Sequence, residues 1–412
     1  MSVVNVAVMG HGVVGSGVVE VLLNHEENIA KKAKNTIHVK YILDLRDFPA
    51  LSYSDRFIKS FDPILQDDSV RVVVEVMGGI HPAYDYVKAC LEKGKSVVTS
   101  NKELVAQCGA ELLKIANENN VNFLFEASVG GGIPVLRPIA QCLAANDLYE
   151  VYGILNGTTN FILTKMIKEK MDFNSALKLA QQLGYAEKDP TADVEGIDAC
   201  RKICILASIS FGKHVYPNQV STEGISQITL QDVTFAQRAG YVIKLIGHAM
   251  LLEEGKVTVA VYPALVPVEN QLANVDDVFN AIMVRGDAIG DVMFYGRGAG
   301  KLPTASAVVA DVIDCVKHLQ ARKYLSWEDG SKDYVVPLGT IKTRLYVRVA
   351  VENIAEAQSV LESVFGKLDY LNTPAEQNTL AFITPYDTEN ILRKKLSLLK
   401  TANAPAVFHV VE

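Results

Sequence analysis

Hydrophobic residues are spaced unevenly along the chain, and the spacing divides it into three stretches. In the first third, short continuous apolar runs alternate with segments of helical periodicity. VNVAVMG, IHVKYILD, VRVVVEVMGG, KSVVTSN and VNFLFEAS read as strands; residues 14–34, 81–94 and 102–120 read as helices between them. Strands that are apolar on both faces and separated by helices predict a parallel sheet covered on both sides. From about Arg137 longer helices mix with strands such as LYEVYGILN and KVTVAVYPALV, predicting an α+β domain that ends in a helix over 304–320. A polar stretch over 326–339 reads as a linker. The remainder runs strand 343–351, helix 355–368, strand 380–385, helix 389–403 and strand 406–412, a small α+β module. The expected domains are therefore 1–136, 137–325 (its last helix placed to pack back on the first domain) and 340–412.

Composition narrows the class. At 412 residues the chain exceeds one ordinary core, which agrees with several domains. A net charge of −7 without any basic tract argues against a nucleic-acid partner. Six scattered cysteines do not form a disulfide framework, no signal-like segment precedes the first strand, and no apolar run is long enough to span a bilayer. The expectation is a cytoplasmic protein with no membrane partner. Cys200 and Cys204 lie one helical turn apart, but no histidine or third cysteine accompanies them, so they read as packing rather than metal ligands.

Candidate chemistry begins at the first strand's end. Gly10, Gly12 and Gly15, enclosing Val13 and Val14, form G-x-G-x-x-G at a strand-to-helix junction. That spacing suits a tight turn, a close backbone approach to a pyrophosphate and tight helix packing, with helix N–H groups facing the anion. A merely tight turn is the alternative. Asp44, ending the second strand, stands where a carboxylate accepts from the adenosine ribose and favours NAD. Arg46, two residues on, would pair with the 2′-phosphate of NADP instead. Gly78, after the third strand, faces the same crevice.

Three further places carry chemistry. Ser100 and Glu103 have capping-box spacing, which puts Lys102 in the first helical turn, where the dipole disfavours a cation by about 0.3–1 kcal/mol. An exposed lysine tolerates that; at the carboxyl end of a nucleotide-binding sheet it reads as functional. FEASVGGGIPV concentrates three glycines after Glu126, either a plain turn or backbone carbonyls turned toward a hard cation such as Na⁺ or K⁺. LNGTTNF offers Gly157 and Thr158 at a strand-to-helix junction, with Thr158 or Thr159 a possible helix cap.

The densest signal is GYAEKDPTADVEGIDACRK, residues 184–202. A helix should stop at Gly184, and a new one should begin near Asp193 as N-cap and run to Phe211, with Gly196 inside it. Asp198 and Lys202 then share a face whose continuation, Ile205, Leu206 and Ile209, heads into the core. On a surface the pair is worth about 0.2–0.5 kcal/mol; partly buried, it is an acid/base device for a carbonyl–alcohol interconversion.

Ala180, Gly184, Tyr185, Asp189-Pro190, Asp193, Gly196, Asp198 and Lys202 together resemble the homoserine dehydrogenase signature. With GHGVVG, TSNKE, EASVGGGIPV, NGTTNF and GRGAGKLPTASAVVADV, the resemblance covers about residues 1–325. It implies a Rossmann-type cofactor domain, a catalytic and dimerisation domain, a homo-oligomer (dimer or tetramer), and reversible NAD(P)-dependent reduction of L-aspartate 4-semialdehyde to L-homoserine in threonine, methionine and isoleucine biosynthesis. By the same resemblance Lys202 and Lys102 handle the substrate hydroxyl proton and Asp198 orients Lys202. Glu187 holds the substrate ammonium with Asp193, Tyr185, Gly157 and Thr158. Gly184 and Gly300 touch the cofactor. Glu126 with the carbonyls of Val129, Gly131 and Ile133 forms a monovalent-cation site. The C-terminal module resembles an ACT regulatory domain, with AVENIAEA standing where such domains carry an acid–x–Pro–Gly turn. Two competing functions remain at this stage: a non-catalytic dinucleotide-sensing regulator, and a reductase of a different small amino-acid aldehyde.

Overall fold

The computed structural model describes residues 2–320, 325–371, 378–398 and 406–411. The last residues of the helix expected over 389–403 and the end of the final strand lie outside this set. The chain gathers into two compact units: residues 1–151, 204–218 and 284–331 form the first, and residues 152–203, 219–283 and 332–412 the second.

The first unit opens with β1 (Val3–Met9), α1 (Val13–Asn24), α2 (Glu26–Ala33), β2 (Thr36–Leu43), β3 (Phe57–Ile58) and α3 (Asp62–Gln66). It continues through β4 (Val70–Glu75), α4 (Ala83–Glu92), β5 (Ser96–Thr99), α5 (Lys102–Glu118) and β6 (Phe123–Leu124). The strands form one parallel sheet in the order β3-β2-β1-β4-β5-β6, the doubly wound dinucleotide-binding order. Strand order reverses beside β1, so a crevice opens at the carboxyl ends of β1 and β4. The single helix expected over 14–34 is two: His25 leaves helical geometry at φ −118°, ψ 20°. A second helix starts there because Glu26 and Glu27 meet its positive end, Lys31 and Lys32 its negative end, and Ile29 and Ala33 turn inward. The helix Lys301–Lys317 belongs to this unit and packs on α1. A Cβ on Gly17 would lie 3.0 Å from Lys301 Cγ, so glycine permits that approach, and Lys301 pairs with Glu20 at 2.6 Å.

The chain then forms β7 (Leu148–Ile154), α6 (Gly157–Glu169), α7 (Phe173–Gln182), α8 (Thr191–Val194), α9 (Ile197–Phe211) and β8 (Ser221–Thr222). Next come α10 (Leu230–Arg238), β9 (Tyr241–Leu251), β10 (Val257–Pro267), β11 (Phe279–Gly286), β12 (Gly290–Arg297) and α11, the Lys301–Lys317 helix. The C-terminal segments are β13 (Lys342–Thr343), β14 (Leu345–Ala350), α12 (Ile354–Phe365), β15 (Asp369–Tyr370), β16 (Thr379–Ile383), β17 (Asp387–Thr388), α13 (Glu389–Leu396) and β18 (Ala406–Val410). In the second unit β9 and β10 pair antiparallel along their full length. The C-terminal strands run β18-β14-β16-β15, a β-α-β-β-α-β module of ferredoxin-like order. β18 pairs parallel with β10, Ala264 opposite His409, so the module continues the sheet. Within AVENIAEA, Asn353 caps α12 by accepting from the N–H groups of Ala355 and Glu356. The stretch read as a linker is tied down: Tyr334 is buried, its carbonyl accepts from Val257, and Val336 donates to the Val257 carbonyl at 2.7 Å. The aromatic ring outweighs the polar composition that suggested a free segment.

Asp232 anchors the module to α10. Its carboxylate caps that helix through Thr229 and also accepts from the Tyr346 hydroxyl (2.9 Å) and Arg348 Nε (2.6 Å). Both carboxylate and phenol are fully buried. Replacing Asp232 by Ala leaves a guanidinium and a phenol without their acceptor and is expected to lower unfolding free energy by about 3 kcal/mol in urea titration. A loss near zero would show that the module is held by the sheet alone.

Candidate active site

The glycine turn is built as its spacing requires. Gly10 lies at φ +98°, and a Cβ on Gly15 would come within 1.9 Å of the Gly10 carbonyl oxygen. Gly12 is the N-cap of α1, and a Cβ there would meet nothing within 4 Å. No side chain caps α1 and no acid lies in its first turn, so its first N–H groups point from an open backbone face. Val13 is exposed and Val14 half-buried beside it. Gly78, exposed at φ +82°, is similarly open. These features fit a dinucleotide pyrophosphate.

Asp44 and Arg46 are locked together. Asp44 Oδ1 accepts from Arg46 N (2.9 Å) and Nε (3.0 Å); Oδ2 accepts from Arg46 Nη2 (2.8 Å) and His11 N (2.8 Å). The guanidinium hydrogen bond holds the Asp44 carboxyl well below the usual range. Arg46 also donates to the His11 carbonyl at 3.1 Å and lies over the Phe48 ring. His11 sits edge-on to Phe48, Tyr53 and Phe57, and burial lowers its pKa. This aromatic nest was not read from the sequence, because its members are separated by up to 46 positions and the pairing of β1 with β2 and of β2 with β3 brings His11 near Phe57.

Lys102 is the first residue of α5 and half-buried. The cap, however, is Asn101 rather than Ser100: its Oδ1 accepts from Leu104 N at 3.1 Å. Asn101 keeps an extended backbone (φ −82°, ψ 90°), with its N–H donating to Thr99 Oγ1 at 2.9 Å, so helical geometry begins one residue later than the capping-box spacing implied. Glu126 turns inward. Its Oε1 accepts from Val135 N (2.6 Å) and Leu136 N (2.8 Å), and Oε2 from Arg137 N (2.7 Å). Asp311 accepts from Glu126 N at 2.8 Å and pairs with Arg137, and burial pushes its carboxyl up to about 7. The glycine run makes a close approach, since a Cβ on Gly131 would lie 2.4 Å from the Gly298 carbonyl oxygen. Val129, Gly131 and Ile133 are buried, and among the described residues none donates to their carbonyls. Those three carbonyls and the remaining lone pair of Glu126 Oε2 are oxygen donors of the type a hard cation takes. Gly300, at φ +126°, caps α11.

In the second unit the charged segment splits as follows. Gly184 ends α7 at φ +75°, as the pattern predicts, with Tyr185 N donating to the Ala180 carbonyl. The helix expected from Asp193 to Phe211 is two, because Gly196 takes φ +80° and separates α8 from α9; Asp193 lies inside α8 and is not a cap. A Cβ on Gly196 would also press on Thr222 and Val261 at 3.1 and 3.2 Å. The break sets Asp193 beside Asp198. Lys202 and Asp198 are both buried, and Lys202 Nζ donates to Asp198 Oδ2 (2.7 Å) and the Leu155 carbonyl (2.8 Å). Asn156 Nδ2 donates to Asp198 Oδ2 (2.8 Å) and Asp193 Oδ1 (2.7 Å), while its Oδ1 caps α6 at Thr159 N. Asn156, not Thr158 or Thr159, is therefore the cap and also the bridge between the two carboxylates. It was missed in the sequence, although Asn before Gly at a strand-to-helix junction is a cap signal. Burial raises the Asp193 pKa, Asn156 opposes that, and Asp198 adds to it. Thr158 donates to the Tyr185 carbonyl at 2.7 Å, and Tyr185 stacks edge-on to Phe161. Gly157 lets the turn approach the 278 carbonyl, which a Cβ would meet at 2.8 Å. Glu187 is exposed, and among the described residues its carboxylate joins no hydrogen bond or ion pair.

A doubly wound sheet with an open glycine turn, and a buried lysine–aspartate pair, define an NAD(P)-dependent oxidoreductase. Residues 10–126 match the family model described as homoserine dehydrogenase, NAD binding domain, and residues 134–313 the one described as homoserine dehydrogenase. The homoserine dehydrogenase of Bacillus subtilis (strain 168) is 43% identical over 324 residues, 78% of this chain and 74% of that protein. The crystal structure of a homoserine dehydrogenase from Thiobacillus denitrificans superposes with TM-score 0.91 at 34% identity, covering 100% of this chain and 99% of that one. A hyperthermophilic archaeal homoserine dehydrogenase mutant in complex with NADPH gives TM-score 0.64 at 27% identity over 76% of this chain and 97% of that one. The chain belongs to the homoserine dehydrogenase family. Among the described residues no helix is long and apolar enough to cross a membrane.

The glycine geometry separates two effects. Gly12→Ala meets no atom in the free protein, so its melting temperature should stay near wild type while dinucleotide affinity falls about tenfold or more, as read by fluorescence titration. Gly15→Ala must displace the Gly10 backbone and should lose stability as well. Equal affinity in Gly12→Ala and wild type would remove the turn from the binding face.

Proposed function

We propose that the chain interconverts L-homoserine and L-aspartate 4-semialdehyde, with Lys202 as the group that takes up and returns the substrate hydroxyl proton. The observation that carries this reading is the buried Lys202–Asp198 pair joined through Asn156 to Asp193. NAD(P), when bound, takes the hydride from homoserine C4 or supplies it to the aldehyde. Asp198 and the Leu155 carbonyl fix the direction of the Lys202 ammonium by holding two of its donors. Lys102, at the head of α5, supplies a second positive group at the cofactor crevice. Asp193 receives the substrate ammonium, with Glu187 as the exposed second carboxylate and Tyr185, Gly157 and Thr158 shaping the turn around it; Gly300, at the head of α11, is assigned to the cofactor, and Gly184 is assigned to it on the family signature alone.

Arg46 favours NADP. Both oxygens of Asp44 are already taken by Arg46 and the His11 amide, so the carboxylate is not presented to a ribose diol. The Arg46 side chain is 62% exposed and available to a 2′-phosphate. The archaeal relative bound to NADPH supports this choice. Glu126 with the Val129, Gly131 and Ile133 carbonyls would hold Na⁺ or K⁺ and stiffen the loop stacked on Gly298. The C-terminal module, read as ACT-like from its strand order, serves structure and assembly, because its β18 edge is already paired with β10. A homo-oligomer, dimer or tetramer, is supported by Met293 and Tyr295, exposed on one face of β12. Threonine, methionine and isoleucine biosynthesis is the pathway such a product enters, and the cytoplasm its place.

The direct test is a spectrophotometric homoserine assay with NAD and NADP in parallel. Lys202→Ala should keep dinucleotide binding and lower kcat by about 10²-fold or more; near-normal turnover would falsify the proton-transfer role. Arg46→Ala should shift the NADP-to-NAD ratio of kcat/KM toward NAD by about tenfold or more, the scale of a lost charge-assisted phosphate contact. An unchanged ratio would return the choice of cofactor to Asp44.

A further inference from the structure

At the carboxyl end of β4, in the cofactor crevice, lies Glu75, a carboxylate with 0% exposure. Nothing in the glycine motif or the signature points to it. Its Oε1 accepts from Met77 N at 2.7 Å and Gly78 N at 3.3 Å, and its Oε2 accepts from the Thr99 hydroxyl at 2.6 Å. Thr99 Oγ1 in turn accepts from Asn101 N at 2.9 Å. Asn101 then divides its amide: Nδ2 donates to the Gly79 carbonyl at 2.6 Å, and Oδ1 caps α5 at Leu104. The Glu75 carbonyl accepts from Ser100 N at 3.4 Å. One closed ring of hydrogen bonds thus runs from β4 into the Gly78–Gly79 loop, across to Asn101, and back through Thr99.

The ring has two outputs. Gly78 and Gly79 stand at φ +82° and +72° with open space where a Cβ would be, and Glu75 is the acceptor that holds the N–H entering that turn. Lys102 follows Asn101 directly, so the capping that starts α5 also sets where the lysine leaves the backbone. Among the described residues no lysine or arginine pairs with Glu75; its charge is met by N–H and O–H dipoles alone, and burial pushes its pKa up. A buried carboxylate satisfied only by dipoles is expensive to keep as packing alone. All three hydrogen bonds that its carboxylate accepts come from the two segments that face the crevice.

We propose that Glu75 is a positioning residue that, through Thr99 and Asn101, couples the shape of the Gly78–Gly79 cofactor loop to the placement of Lys102. This rests on the reading that the crevice holds the dinucleotide. It requires that disturbing the ring weaken the dinucleotide and slow turnover together, while leaving recognition of the amino acid, which is assigned to residues of the other unit, unchanged.

The test uses the full-length protein and four variants: Glu75→Ala, Glu75→Gln, Thr99→Val and Thr99→Ser. Dissociation constants for NADP and NAD, kcat, and KM for homoserine at saturating dinucleotide are measured, with melting curves alongside. Glu75→Ala should raise the dinucleotide Kd and lower kcat, each by about tenfold or more, with homoserine KM within about twofold. Glu75→Gln keeps the acceptor for the loop N–H groups but not the one for Thr99, and should show a smaller change of the same kind. Thr99→Val should reproduce that change without removing a charge, and Thr99→Ser should recover most of it. If Glu75→Ala does not fold, the Thr99 pair decides alone. A lowered melting temperature with unchanged Kd and kcat in Thr99→Val and Glu75→Gln overturns the proposal, since that is what a merely structural carboxylate gives. Wild-type protein that binds dinucleotide but shows no homoserine-dependent reduction would sink the reaction assigned above and leave the Kd comparison to judge Glu75.

Discussion

An ammonium group removed from water must have an acceptor for its donors, and the second unit is arranged around meeting that requirement for Lys202. Desolvating the lysine and Asp198 costs several kcal/mol per ion before their attraction is counted. The close contact between them, the Leu155 carbonyl at the end of β7 and the Asn156 amide are what offset it. Each of these depends on a backbone decision made elsewhere. β7 must end at Ile154 for the Leu155 carbonyl to turn toward the lysine, Asn156 must stop the strand and cap α6, and Gly196 must interrupt the helix so that Asp193 and Asp198 come to the same amide. A local break of helicity is the condition for the cluster.

The same economy governs the first unit. There the demand comes from backbone amides left without partners at a strand-to-helix turn, and glycine provides the space. Gly15 admits the Gly10 carbonyl, Gly17 admits α11, and Gly131 admits the Gly298 carbonyl. In each case a Cβ would strike backbone or the next helix, so these positions are sterically dictated. Gly12 and Gly78 are different: nothing in the protein crowds them, which is why their openness reads as room for a ligand. Buried carboxylates complete the pattern. Glu126 accepts from three backbone N–H groups, Glu75 from two and Asp311 from one, so each helps to cap a segment with little regular structure of its own.

The C-terminal module shows how an apparently separate segment becomes part of its neighbour. Its helices and strands carry their own core around Leu345, Leu361, Phe382 and Leu392. Yet β18 donates its free edge to β10, and Asp232 ties Tyr346 and Arg348 to the start of α10. An edge strand left open invites pairing, and here the partner is within the chain.

Much of this was written in local sequence. Period and turn residues determined the parallel sheet, the glycine turn, the start of α5 at Lys102, the end of α7 at Gly184 and the shared face of Asp198 and Lys202, because each is set by contacts within about one helical turn or one strand-to-helix junction. The long signature added the family. What the sequence left open involves residues far apart in the chain: Asn156 bridging Asp193 and Asp198, His11 joined to both Asp44 and Arg46, Glu75 joined to Asn101 through Thr99, Asp311 holding Glu126, and the supposed linker pinned by Tyr334. Even the two helix breaks, at His25 and Gly196, follow from which face must be buried against distant elements. Hydrogen bonds to buried charges are chosen by what the fold brings within 3 Å, and only the tertiary structure decides that.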